Sequence, residues 1–329
     1  MDASILGFTQ GAVGQSAALW DESLVRELAT KVAPEALGGK TSWLLHGDAN
    51  YLWARWFLEG LADPLPYLAG KLQYPHLYQR VRSALAADAG QLPADERSKL
   101  ARGLAQLLWT EIRRRAVGRR ITADRETRLS LWELNPRCWI CGAAFSDWAR
   151  TTFLKEDIDV DPQPPLFVDF YKPRGVHLSD LRIEVEHVVP HSAGGRSEIH
   201  NLRLACGWCN RAKSNHALLY DTEGTPRTRQ HPILGIVSVP QPFWVVRFLA
   251  VRGRCEDLTG CTARTSSEEL TVAPRRANGA PNPANLVVVC REHDPLREVR
   301  LVAPRFARDY RGASLSDVKD AYAAGERAG

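Results

Sequence analysis

No cysteine occurs before Cys138 in this 329-residue chain, and no low-complexity tract interrupts it. No apolar run approaches the roughly 18 residues that a membrane-spanning helix needs, so a membrane partner is not expected. The N-terminus lacks a basic stretch followed by an apolar one, so a secretory leader is not expected either, and the cytoplasm is the expected location. Neither sign of charge dominates. The 43 Lys and Arg residues against 38 Asp and Glu leave a net charge of +5, which permits a nucleic-acid partner without demanding one. A hydrophobic fraction of 44% and a charged fraction of 25% are those of an ordinary globular protein. The length suffices for two or three domains, each with a core.

What is present is concentrated in the cysteines. All seven fall in close groups, at 138/141, 206/209, 255/261 and 290. An odd number, clustered in a chain expected in the cytoplasm, argues for metal binding over a disulfide framework. Cys138-Trp-Ile-Cys141 and Cys206-Gly-Trp-Cys209 have the spacing of zinc knuckles, in which each tight turn aims two thiolates at one tetrahedral ion. Four sulfurs close the shell, so this zinc is expected to be structural and to staple a small domain. Cys255, Cys261 and Cys290, with His293 as fourth ligand, suggest a second structural zinc, although only Cys290-x-x-His293 has knuckle spacing. The lead-in Asn285-Leu286-Val287-Val288-Val289-Cys290 echoes Asn201-Leu202-Arg203-Leu204-Ala205-Cys206. That echo suggests a degenerate copy of one hairpin, without a Glu-His pair.

The periodicities predict an α+β protein in three parts. Residues 1–128 read as a helical recognition or partner domain. Leu77, Val81 and Leu85 form one stripe; Leu100, Leu104, Leu108 and Ile112 form another, on a helix opened by Pro93 and Asp95. A third helix, capped by Asp48, is expected to place Trp53, Trp56, Phe57, Gly60 and Leu61 on one core-facing side. Arginines follow at 113–115, 119, 120, 125 and 128, where they could track a phosphate backbone or simply cover a solvated helix end. Residues 129–220 carry the motifs, with an acidic, proline-containing insert at 146–181 read as an ordered surface loop. Asp157, Asp159 and Asp161 lie in that insert, but prolines break any calcium-loop register. Residues 221–329 open with a polar linker (221–231). Strands are expected at 236–239, 244–251 and 286–289, making a small β-rich zinc-binding domain, and Ser314 with Asp317 could open a short helix.

Between the cysteine pairs runs Ile183-Glu184-Val185-Glu186-His187-Val188-Val189-Pro190-His191, then Gly194-Gly195, then Asn201-Leu202 leading into Cys206, and Asn210-Arg211-Ala212-Lys213 after Cys209. The alternation before Glu186 predicts a strand, Gly194-Gly195 a turn, Leu202 and Leu204 a second strand, and Asn210 onward a helix. This ββα order resembles the HNH family, the ββα-metal or His-Me finger endonucleases, across 138–141 and 183–214. The resemblance rests on the acidic-His-x-x-Pro pattern, the Gly-Gly, the Asn-Leu before a cysteine, and the Cys-x-x-Cys-Asn-x-x-Lys run.

That resemblance implies roles. His187 would be the general base and Asn201 would position its loop and imidazole. Glu186 and Asn210 would hold one catalytic divalent cation, Mg2+ or Mn2+, beside the structural Zn2+. The family more often has Asp where Glu186 stands, and Glu184, two residues earlier on the same strand, could substitute. Arg211, Lys213 and His191 would touch DNA; His200 is a weaker candidate. Such modules are commonly attached to unrelated recognition domains in restriction-like and phage-defence nucleases, the layout read here. The expected function is metal-dependent hydrolysis of DNA phosphodiesters. The alternative is a zinc-dependent nucleic-acid-binding protein that does not cleave; RNA stays open as a substrate. One active site per chain implies that cutting both strands needs a homodimer or two events, with the N-terminal part available to dock a partner protein.

Overall fold

The described residues of the computed structural model are Thr9, Val25, Arg26, and residues 42–115, 123–190 and 195–308. Arg119, Arg120, His191, Gly194, Ser314 and Asp317 lie outside them, as does the side chain of Arg114. Three parts are present: a helical N-terminal region, a mixed α/β unit and a C-terminal β-rich cysteine cluster. No helix among the described residues is long and apolar enough to cross a membrane.

Helices α1 (Ser42–Leu61), α2 (Tyr74–Asp88) and α3 (Ala94–Arg115) form the N-terminal part. Leu77, Val81 and Leu85 of α2 are buried as their i, i+4 spacing predicts and pack with Leu108 and Ile112 of α3. Of the expected α3 stripe Leu104 is only partly buried and Leu100 is 40% exposed, because the contact face is turned toward the small residues Ala101 and Ala105, which let the two helices approach closely. Full burial of each of the larger side chains contributes about 1.5–3 kcal/mol. Asp95 and Glu96 in the first turn of α3 complement its dipole.

The sequence expectation for α1 needs correcting. Asp48 does not cap the helix; it lies within it, buried, accepting from the Leu219 backbone N–H at 2.8 Å and from Arg247 Nη2 at 2.6 Å. Trp53, Trp56 and Phe57 are not core but 71%, 57% and 53% exposed. This helix carries two apolar stripes, and spacing cannot say which one meets the protein. Of the expected face only Leu61 is buried; it joins Leu58 in the helical core, while Leu44 on the opposite side joins the central one.

The ββα element forms as expected. Strand β2 (Ile183–His187) pairs antiparallel with β3 (Leu202–Cys206), His187 opposite Leu202 and Ile183 opposite Cys206. Helix α6 (Gly207–Lys213) follows at once, starting inside the second knuckle. Behind the hairpin sit α4 (Arg125–Leu134) and α5 (Asp147–Leu154), whose Leu131, Phe153 and Leu154 pack on Ile183, Leu202 and Leu204. The insert is therefore more than a loop. Ser146 caps α5, and β1 (Val168–Asp169) pairs with β8 (Leu301–Val302) near the end of the described chain. Similarly, half of the 221–231 linker is β4 (Arg227–His231), which forms a hairpin with β5 (Gly235–Val239).

Residues 244–251, expected as a strand, belong to helix α7 (Pro242–Arg252). The run is apolar on nearly every side, with Arg247 its one charge before Arg252, so it shows little amphipathic period to read. Pro242 at its first turn and Gly253 at its end, with φ of +59°, frame eleven residues as a helix. Phe243, Trp244, Val245, Phe248 and Leu249 fill the space between the first knuckle pair and a second hairpin, β6 (Thr271–Pro274) with β7 (Leu286–Val289). The cysteines of both groups thus border one continuous core.

One buried ion cluster ties the insert to the C-terminal part. Arg300 donates to Asp294 at 2.8 Å, to Asp169 at 3.0 Å and to the Val272 carbonyl at 2.8 Å. Burial opposes its charge, but Asp169 and Asp294 outweigh that and hold the guanidinium protonated. Removing one partner of such a pair strands the others. Arg300→Met is expected to cost about 3–5 kcal/mol, read from urea unfolding of the zinc-loaded protein.

Candidate active site and metal centres

His187 ends β2, buried, with its Nε2 2.9 Å from Ser197 Oγ. The loop after it is clamped by Asn201. The Asn201 Oδ1 accepts from Val189 N at 2.9 Å, while Nδ2 donates to Val189 O at 3.2 Å and Arg196 O at 2.9 Å. One side-chain amide thus ties both ends of residues 189–196, and the Val188 N–H bonds the Asn201 carbonyl beside it. Asn201 is buried, so each of these bonds would be costly to lose. Gly195 fits this loop only because it has no Cβ: one would lie 1.8 Å from Val189 O and 2.7 Å from Asn201 Nδ2. Gly195→Ala is expected to destabilise by about 1–3 kcal/mol through overpacking, seen as a lowered thermal midpoint and a displaced His187 resonance.

The acidic residues divide. Glu186 is 4% exposed, and its Oε1 accepts from Lys213 Nζ at 2.7 Å; the same ammonium donates to the His187 carbonyl at 2.9 Å. Glu184, partly exposed, accepts instead from Asn210 Nδ2. The structure therefore brings Asn210 to Glu184 and not to Glu186. Lys213 was expected on a DNA-facing helix surface; it is only 8% exposed, because α6 is short and its last turn tucks under β2. Arg211 is about half exposed, and Asp180 and the Ser179 carbonyl engage its guanidinium. His200 is exposed, 3.5 Å from Glu198.

Glu184, His187 and Asn210 line one cleft of about 510 Å³ with Arg128 and Arg182. Arg128 came from the arginine run. It is held by the carbonyls of Ala123 and Phe153, both at 3.1 Å. Arg182 was not singled out, since a lone arginine before a strand carries no distinguishing signal. Carboxylate and amide oxygens facing a polar cleft are the hard donors that suit Mg2+ or Mn2+.

The cysteine clusters are a separate matter. The sulfurs of Cys138, Cys141, Cys206 and Cys209 all lie within 4.8 Å of one another and are buried. A zinc ion with bonds near 2.3 Å requires sulfurs about 3.8 Å apart, which this set fits. Gly142 makes the first knuckle, with φ of +74° and no room for a Cβ, which would sit 1.9 Å from Glu268 O. The Trp139 N–H bonds the Leu204 carbonyl at 2.9 Å and so fastens that knuckle to β3. Four thiolates around a divalent ion carry excess negative charge, and Lys172 meets it. Burial disfavours the Lys172 ammonium, but Cys141, Glu269, Asp169 and Cys209 together hold it charged. Nothing in the local sequence marks Lys172 for this place. Cys255, Cys261, Cys290 and His293 form the second cluster, with His293 Nδ1 3.2 Å from Cys290 Sγ and 3.8 Å from Cys255 Sγ. His293 Nε2 faces Asp257 at 3.7 Å, the kind of outer partner that orients a ligating imidazole. Both clusters could hold structural zinc.

Residues 174–216 match the family model described as HNH endonuclease, so an HNH endonuclease domain is present, with the first cysteine cluster beside it. No curated protein and no solved structure matches the chain.

Proposed function

We propose that the chain is a metal-dependent endonuclease that hydrolyses DNA phosphodiester bonds in the cleft before β2. The observation that carries this reading is the convergence of His187, Asn210 and a β2 carboxylate on one cleft that also presents two arginines. In this reading Arg128 and Arg182 receive the phosphate backbone as fixed positive charges. The His187 imidazole takes the proton from the attacking water, and the Asn201 clamp with Ser197 holds the imidazole's loop still while it does so. A divalent cation at Asn210 and the carboxylate would neutralise the scissile phosphate and the leaving oxygen. The zinc clusters take no part in the chemistry; they fix the knuckles from which β3 and α6 depart. A restriction-like or phage-defence role, with the helical N-terminal part recognising DNA or docking a second protein, is the biological setting the layout suits.

The test is cleavage of plasmids, prepared from hosts with different DNA modifications, by the zinc-loaded protein with Mg2+ or Mn2+. Metal-dependent nicking or linearisation is the expected result. A protein that binds these DNAs and holds its zinc, yet leaves all of them intact with either metal, would instead be a non-cleaving zinc-dependent binding protein.

A further inference from the structure

The second hairpin repeats the first in register. In β2–β3, Glu184 stands opposite Ala205 and His187 opposite Leu202; in β6–β7, Thr271 stands opposite Val289 and Pro274 opposite Leu286. Setting Cys290 on Cys206 places Asn285 on Asn201, Asp294 on Asn210, Pro274 on His187, Ala273 on Glu186 and Thr271 on Glu184. The loops agree as well. Asn285 Oδ1 accepts from Arg276 N at 2.9 Å, and its Nδ2 donates to Arg276 O at 3.2 Å and Ala280 O at 3.1 Å, the bonds that Asn201 makes to its own loop.

What differs is the place between the strand and the residue after the fourth ligand. In the second hairpin a cation fills it. Arg300 donates through Nε and Nη2 to Asp294, through Nη1 to Thr271 Oγ1 at 3.2 Å, and through Nη2 to the Val272 carbonyl at 2.8 Å. A fixed positive charge therefore sits between the counterparts of Glu184 and Asn210. The counterpart of Glu186 is Ala273, which has nothing to offer it. In the first hairpin Glu184 and Asn210 meet each other at the cleft, and Glu184 meets there a neutral amide, which presents oxygen or nitrogen by a half-turn. Glu186 meets the Lys213 ammonium, which already offsets its charge.

We propose that Glu184, with Asn210, ligates the catalytic cation, and that Glu186 serves as the anchor of Lys213 beneath His187. Arg300 is the built-in replacement for that cation in the second copy. The assignment rests on the nuclease reading and refines its metal site. The charge of Glu186 is already offset by the ammonium it anchors, and Glu186 is not among the residues that line the cleft; Glu184 lines it and gives up there one amide hydrogen bond.

The experiment is a Mn2+ titration of the full-length, zinc-loaded protein, read as loss of the free-ion electron paramagnetic resonance signal without DNA or turnover. Wild type is expected to take up one Mn2+ per chain. Glu184→Gln should weaken uptake by at least about tenfold, the loss that even an outer partner of a metal ligand brings. Glu186→Gln should keep wild-type affinity. If that single variant unfolds, Glu186→Gln combined with Lys213→Met removes the stranded ammonium and serves in its place. Mn2+ affinity lost with Glu186→Gln, or with the double variant, and kept with Glu184→Gln would overturn the assignment while leaving the nuclease reading standing. Uptake of two ions by wild type would overturn the equivalence of Arg300 with the cation. No uptake by wild type would overturn both the assignment and the metal-dependent reading.

Discussion

His187→Ala is expected to lower metal-dependent plasmid cleavage by about 10²- to 10⁴-fold, the usual contribution of a positioned general base. The loss should appear in turnover and not in substrate binding, because Arg128 and Arg182, which line the same cleft, remain in place. Zinc content should not change, since no ligand of either cysteine cluster is touched. The fold should also survive. The His187 carbonyl, which Lys213 uses, is backbone and persists in the variant; the side chain's described hydrogen bond is to Ser197 at the loop. Rates measured with saturating DNA, beside a thermal melt, check both halves of the expectation. Cleavage at the wild-type rate by the folded variant would remove His187 from the chemistry.

Cys209→Ala is expected to have the largest effect on stability. Structural zinc contributes on the order of 10–16 kcal/mol apparent in small zinc-binding peptides, as much as or more than the roughly 5–15 kcal/mol that separates a whole domain from its unfolded chain. The damage should spread. Cys138, Cys141, Cys206 and Cys209 border the same apolar core as Phe243, Trp244 and Phe248 of α7, and as Cys255 and Cys290 of the second cluster. Loss of the first ion is therefore expected to unfold the C-terminal cluster too, and to release close to two zinc ions per chain instead of one. Zinc analysis of the purified variant and its far-ultraviolet melt decide the matter. A variant that kept one zinc and a cooperative transition for the C-terminal part would show that the two clusters fold independently in spite of their common core.

Local chemistry was legible wherever a residue type has few other uses. Paired cysteines at knuckle spacing pointed to metal, and the structure gathers the same two sets of four. The ββα order followed from period-two alternation around a Gly-Gly turn, and the hairpin register agrees with it. What spacing left undecided were choices between equivalent faces. Trp53, Trp56 and Phe57 share one side of α1, yet Leu44, Asp48 and Leu58 on the other side meet the protein and Leu61 alone of the expected face is buried, because Arg247 and the backbone of Leu219 come from far along the chain to bind Asp48. Residues 244–251 have strand-like composition but form a helix; apolar residues on nearly every side blur the period that would separate the two.

The same division holds at the site. The sequence by itself determined that Glu184, Glu186, His187, Asn210 and Lys213 lie within thirty-one residues (183–213), a set chosen by covalent order alone. Only tertiary structure decided how they pair: Lys213 reaches back under β2 to Glu186, leaving Asn210 to Glu184 at the cleft. It also brought in Arg182 to the cleft, Lys172 to the buried thiolates and Arg300 to the second hairpin. These charges act through space over a few ångströms, and the distances that set their strength exist only once the chain has folded.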